Sequence, residues 1–427
     1  MKLELGKIFI KDVQFADHTY VDKGVLYVCA AEIEKLVLED SHLIACRVEL
    51  AHPGESVRIA PVKDAIEPRV KVSGGQIFPG IIGKVNQVGC GRTHVLSGAV
   101  VLTVGRIVGF QEGLIDMSGP AACYTPFSET QNVCVVIEPR EGLETHEYET
   151  AGRLAGLKVA AYLGEAAREL EPDEITVYET KPLLEQIAQY PDLPRVGYLH
   201  MLQSQGLLHD TYYYGVDAKQ FLPTIMYPTE IMDGAIVSGN CVAPCDKVTT
   251  YHHLNNPVIE DLYKRHGKDI NFMGVILTNE NVFLADKIRC SDMTGKLAEY
   301  LGLQGILITE EGYGNPDTDL MMNCKSIADK GVKVVLITDE FPGRDGSSYS
   351  LADSTPQADT IVSCGNGNVI VNFPPMERVI GTLDYVEMMI GGYDGSLHED
   401  GSIEAELQIV IASTIANGFN KLSAKGY

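Results

Sequence analysis

The chain has 427 residues, 45% of them hydrophobic and 22% charged, a composition that supports buried cores in roughly two or three domains and excludes a disordered chain. Its 34 lysines and arginines face 58 aspartates and glutamates, so the formal charge of −24 repels nucleic-acid phosphates and anionic membrane surfaces. Tryptophan is absent and aromatic residues total 7%, too few for a base-stacking platform.

The opening Met1–Ile10 has no charged head followed by an apolar run, so no secretory leader is expected. No window approaches ~18 uninterrupted apolar residues, so no membrane span is expected either. The ten cysteines are scattered through apolar segments and read as reduced thiols of a cytoplasmic protein, most of them small buried hydrophobes.

Along the first ~140 residues, β-branched runs bounded by Gly, Pro and Asp predict strands at 7–15, 24–30, 43–50, 56–59, 98–104 and 132–137. Glycine-rich stretches at 73–83 and 88–98 read as loops. Alanines and leucines at helical spacing predict a long helix over 143–170. A strand near 174–177, a helix near 181–190 and a strand at 196–202 follow. The stretch Pro228–Asp246 lacks periodicity and is rich in turn formers, which makes it the best internal boundary. Beyond it, helices at 257–266, 290–301 and 317–330 alternate with strands at 271–277, 305–309 and 333–338, and further strands follow at 360–363 and 369–373. Such alternation implies right-handed crossovers. The fold class is therefore α/β: a β-rich N-terminal part, then layered α/β with a doubly wound, mostly parallel sheet in the C-terminal half.

Several constellations could carry chemistry. In Gly89–His94, Arg92 offers a fork for a substrate carboxylate, or pairs with an acid of this acidic protein. Cys90, beside Arg92 and His94, is a candidate for a lowered pKa. The run Tyr212–Tyr214 follows an apolar strand and either lines an ammonium pocket or staples two layers together. In Thr309–Asp317 the Gly-x-Gly lacks a third glycine, and its carboxylates would repel a pyrophosphate, so a nicotinamide or flavin site is not expected.

The tetrad Ser238-Gly239-Asn240-Cys241, followed by Val242–Cys245, leaves three readings open. It is a turn with two buried thiols, or a metal or redox pair in which Cys241 and Cys245 join His252 and His253 at a spacing no standard zinc site uses. The third is self-cleavage. The Cys241 thiol attacks the preceding carbonyl, β-elimination releases the upstream chain, and the new terminus hydrolyses to a pyruvoyl group. Gly239 and Asn240 supply the backbone freedom that this needs.

Around this tetrad the chain resembles the proprotein subunit of component B of the glycine, sarcosine and betaine reductases. The resemblance rests on Leu3–Phe15, Pro61–Asp64, Ile66–Val72, Gly109–Gly113, Tyr124–Ser128, Gln205–Thr211 and Met232–Cys241, and continues through Gly314–Leu320, Gly392–Gly395 and Asn420–Ser423. It implies that Asn240–Cys241 is the scissile bond and Cys241 the pyruvoyl precursor, giving chains 1–240 and 241–427; Cys245, His252 and His253 are candidates for assisting the acyl shift from their proximity in sequence alone. It further implies a Schiff base between an amine substrate and the pyruvoyl ketone. Implied partners are a selenocysteine-containing subunit of component B, selenoprotein A, the acetyl-phosphate-forming component C, and thioredoxin as electron source. A quaternary nitrogen forms no imine, so betaine fits that step less well than glycine or sarcosine. A non-catalytic scaffold that docks the selenoprotein is the alternative from another class.

Overall fold

The computed structural model describes residues 1–205, 211–239 and 242–418, with the backbone of 425–426. Strands β1 (Lys2–Phe9), β2 (Leu43–Ala51), β3 (Val57–Ile66), β4 (Gly91–Ser97), β5 (Ala99–Val104), β6 (Gly113–Asp116) and β7 (Gln131–Pro139) form most of the N-terminal part. One sheet runs β6-β3-β5-β7-β2, and Arg378–Gly381, from far along the chain, adds in parallel to β3. Its central strands β3 and β5 are buried along their whole length, as β-branched strands covered on both faces must be. A second sheet sets β1 between Glu174–Glu179 and β4. The stretch at 88–98 is thus not a loop throughout. Gly91 and Gly98 take positive φ at its ends, while the buried Thr93–Leu96 between them pair in parallel with β1.

Helix α1 (Thr145–Glu165) covers the first sheet with a face of small residues, among them Ala151, Gly152, Ala155, Gly156, Ala160 and Gly164. The approach is close. A Cβ on Gly164 would sit 2.3 Å from the Arg69 carbonyl oxygen, and one on Gly156 2.2 Å from Thr103 Oγ1.

The third large sheet begins before the tetrad. Strand β8 (Arg195–Leu202) lies between β9 (Asn271–Asn279) and β10 (Gly305–Thr309), with β11 (Lys333–Glu340) and β12 (Ile361–Asn366) beyond. All five are parallel, and Thr224–Met226 and Lys425–Gly426 add antiparallel edges. Side chains alternate along β8. Leu199 and Met201 pack with helices α4 (Leu284–Tyr300) and α5 (Asn315–Ala328). Tyr198 and Leu202 pack on the other side with α3 (Pro257–Arg265), which follows the short α2 (Thr250–Leu254). Helices on both faces make this the layered, doubly wound α/β part, and it draws strands from both sides of residues 240 and 241. No helix among the described residues is long and apolar enough to cross a membrane.

Candidate active site

The carboxyl ends of the parallel strands are where open α/β sheets hold ligands. Here Gln203 and Ser204 follow β8, Glu280 follows β9, Glu310 and Glu311 follow β10, and Asp339 closes β11; all are buried. The segment from Val242 to Val248 lies across this edge, and the β3 sheet closes over it.

On the upstream side of the tetrad, two charged residues in the buried interior of β3 fix the backbone. Lys63 Nζ donates to the Gly239 carbonyl at 2.7 Å and lies 3.9 Å from Glu149, which is also paired with Arg153. Asp64 accepts from the Thr250 amide and hydroxyl at 3.0 and 2.7 Å, and Thr250 Oγ1 in turn accepts the Ser238 amide at 3.1 Å. Burial holds the Asp64 carboxyl above its usual range, against the pull of Lys247 and Lys63.

On the downstream side, the Val248 amide donates to Glu311 Oε1 at 2.9 Å, and the Glu311 amide donates to Glu280 Oε1 at 2.8 Å. Lys247 turns its ammonium to the Lys63 carbonyl, tying the segment back to β3. Two glycines make room. A Cβ on Gly312, at φ 90°, would stand 3.0 Å from Val242 Cγ2, and one on Gly113 2.5 Å from Pro244 Cβ. Ser238, Gly239, Val242 and Ala243 are all buried. Both flanks of residues 240 and 241 are therefore clamped, dry and close-packed. Such a setting keeps bulk water from the backbone between them.

His252 and His253 lie on α2, beneath this segment. His252 Nδ1 is 2.7 Å from Thr249 Oγ1, while His253 Nδ1 is 3.2 Å from His200 Nε2. The relay continues from His200 Nδ1 to the Tyr198 hydroxyl at 2.9 Å and on to Thr309 at 2.6 Å. Burial lowers His200 and His252 to about 3, and His253, pressed also by its two imidazole neighbours, goes well below its ordinary value. All three stay neutral.

Asn240 and Cys241 lie outside the described residues, as do 206–210 within the segment preceding the tyrosines. Cys245 is fully buried, its Sγ 3.1 Å from Asp246 Oδ1, and it stands with Asp246 and Asp339 rather than with either histidine. Burial and those two carboxylates raise its thiol, which opposes a thiolate redox role. Arg92 is paired with Glu4 at 2.7 Å, the structural one of its two readings. The Tyr212 ring faces the Arg153 guanidinium at 4.1 Å, and the Tyr214 hydroxyl donates to Glu230, so the tyrosines join layers. An apolar cavity of about 510 Å³ runs along one face of the parallel sheet, from Val196, Gly305 and Lys333 at the amino ends of their strands to Ile337 and Cys364. Lys63, Asp64, Glu280 and Glu311 had no role assigned from sequence. The adjacent Lys63-Asp64 inside a β-branched run was the signal, since charges enter a buried strand only with partners.

The family described as glycine/sarcosine/betaine reductase component B subunits matches residues 1–425. The sarcosine reductase complex component B subunit alpha of Peptoclostridium acidaminophilum is 73% identical over 428 residues, covering 100% of both chains. The glycine reductase complex component B subunits alpha and beta of Acetoanaerobium sticklandii are 59% identical over 430 residues, again covering 100% of both. A D-proline reductase proprotein of Acetoanaerobium sticklandii is more distant, at 23% identity over 76% of this chain and 53% of that one. No solved structure matches.

Proposed function

Because the chain belongs to the family of glycine/sarcosine/betaine reductase component B subunits, we propose that it is the substrate-activating subunit of a selenoprotein amino-acid reductase complex, an oxidoreductase. In this reading the chain cleaves itself at Asn240–Cys241 into 1–240 and 241–427, and Cys241 becomes a pyruvoyl group. The group supplies an electrophilic ketone for Schiff-base activation of an amine, ahead of carbon–nitrogen cleavage by a partner's selenolate. The chain's own residues hold the bond. Lys63 and the Asp64–Thr250 pair fix the backbone before it, Glu311 fixes the backbone after it, and Gly312 and Gly113 let Val242 and Pro244 seal the edge.

The observation that carries this reading is that independent layers grip residues 238–239 and 242–248, on either side of the proposed bond, in a buried setting. The description of a relative as a proprotein supports it. Sarcosine is the proposed substrate. The 73% identity to a sarcosine reductase subunit exceeds the 38% to a betaine reductase subunit, and a secondary amine condenses with a ketone where a quaternary one does not. The partners are the selenocysteine-containing subunit of component B, selenoprotein A and component C, which yields acetyl phosphate, with thioredoxin supplying electrons in the cytoplasm.

Cys241→Ala tests this assignment. Co-produced with its partners, the wild type is expected to run as two chains on a denaturing gel. The variant is expected to stay full length and to lose substrate-dependent turnover at least ~100-fold. Full turnover by Cys241→Ala would overturn it.

A further inference from the structure

Four residues beyond the tetrad, the segment places a thiol and a carboxylate against the end of β11. Potential ligand atoms of Cys245, Asp246 and Asp339 all lie within 4.8 Å of one another, and all three residues are buried. Thr414, also buried, brings a hydroxyl 2.5 Å from Asp339 Oδ2 and 3.5 Å from Asp246 Oδ1. That is one sulfur donor and three oxygen donors around a common point.

Two lysines of this acidic edge are engaged elsewhere: Lys287 is paired with Asp319, and Lys247 is turned to the Lys63 carbonyl. A second, independent sign is the carboxylate oxygens. Asp246 Oδ2 accepts from no N–H or hydroxyl and its carboxyl hydrogen-bonds the Asp339 carboxyl instead, while Oε2 of Glu310, a residue 2% exposed whose charge bears on both, has no hydrogen-bond partner. Native interiors rarely leave such atoms unmet, and two facing carboxylates need either a shared proton or a cation.

We propose that Cys245, Asp246 and Asp339, with Thr414 as a neutral fourth donor, bind one divalent cation of the zinc class. The donor chemistry selects the ion. A thiolate is poorly matched to magnesium or calcium, whereas mixed sulfur and carboxylate donors at about 2.3 and 2.1 Å suit zinc. Binding displaces the thiol proton and any proton the carboxylates share, so affinity rises with pH. The ion pins the segment after the tetrad to β11 and neutralises charge at the carboxyl edge. The site stands on its own residues and holds whether or not residue 241 is processed.

The test uses the full chain isolated with its partners from zinc-supplemented cells. Elemental analysis is expected to find about one zinc per chain, and a strong chelator is expected to lower Tm, with zinc restoring it. Replacing the metal with cobalt should give the near-ultraviolet sulfur-to-metal charge-transfer band in wild type and not in Cys245→Ser. Asp339→Asn should lose the metal and the chelator response. A metal-free wild type with no cobalt band and a Tm indifferent to chelator would overturn the site and leave a proton-sharing pair. The wild-type measurements decide it even if a variant fails to fold.

Discussion

His253 Nε2 ends a line of hydrogen bonds, Thr309–Tyr198–His200–His253, with a nitrogen that no described residue meets. The energetic consequence is a pH dependence whose sign is fixed. In the unfolded chain these imidazoles take protons near pH 6.5; in the folded one, His200 and His252 resist to about 3 because burial penalises the charge. Between those values the unfolded state binds more protons, so stability is lost as pH falls. By about pH 4.5 each contributes a loss on the order of 2–3 kcal/mol. Urea midpoints taken from about pH 7 downward should fall, and His200→Gln should flatten the profile. A flat wild-type profile would contradict neutral burial. From sequence, His252 and His253 stood out by adjacency alone. His253's partner His200 lies on a different element and was not legible, because which strand faces which helix is a tertiary fact.

At the scale of elements, α1 shows what a small-residue face is for. Glycines cost a helix about 1 kcal/mol each relative to alanine, and Gly164 is retained where the Arg69 backbone would collide with any side chain. Gly164→Ala therefore loses more through displaced packing than it gains in propensity. A net destabilisation of about 1–3 kcal/mol is expected, read as a lowered Tm with the reductase partners present. A raised Tm would show that α1 can slide. The helix itself was readable from its alanine and leucine spacing, as were β8–β11 from short apolar runs. β4 was not, because the glycines that bound it also resemble loop punctuation, while its parallel pairing with β1 is set about 90 residues away. The acidic edge was legible only in part. Glu310 and Glu311 showed as carboxylates after a strand, but Asp246 meets Asp339 only through the sheet's winding.

For the whole molecule, the sheet that carries the site takes β8 from before residues 240 and 241 and β9 to β12 from after them, while Arg378–Gly381 joins the N-terminal sheet beside β3. A break between residues 240 and 241 leaves every described strand whole. The two products are expected to co-elute on size exclusion under native conditions and to separate only in denaturant; dissociation in native buffer would show that the shared sheets do not hold them. The most direct measurement is the intact mass of the downstream chain from active enzyme. The account expects a chain beginning at position 241 with a pyruvoyl group, lacking the cysteine's sulfur and amine and refractory to Edman sequencing. An unaltered Cys241 thiol within a full-length, fully active chain would contradict it.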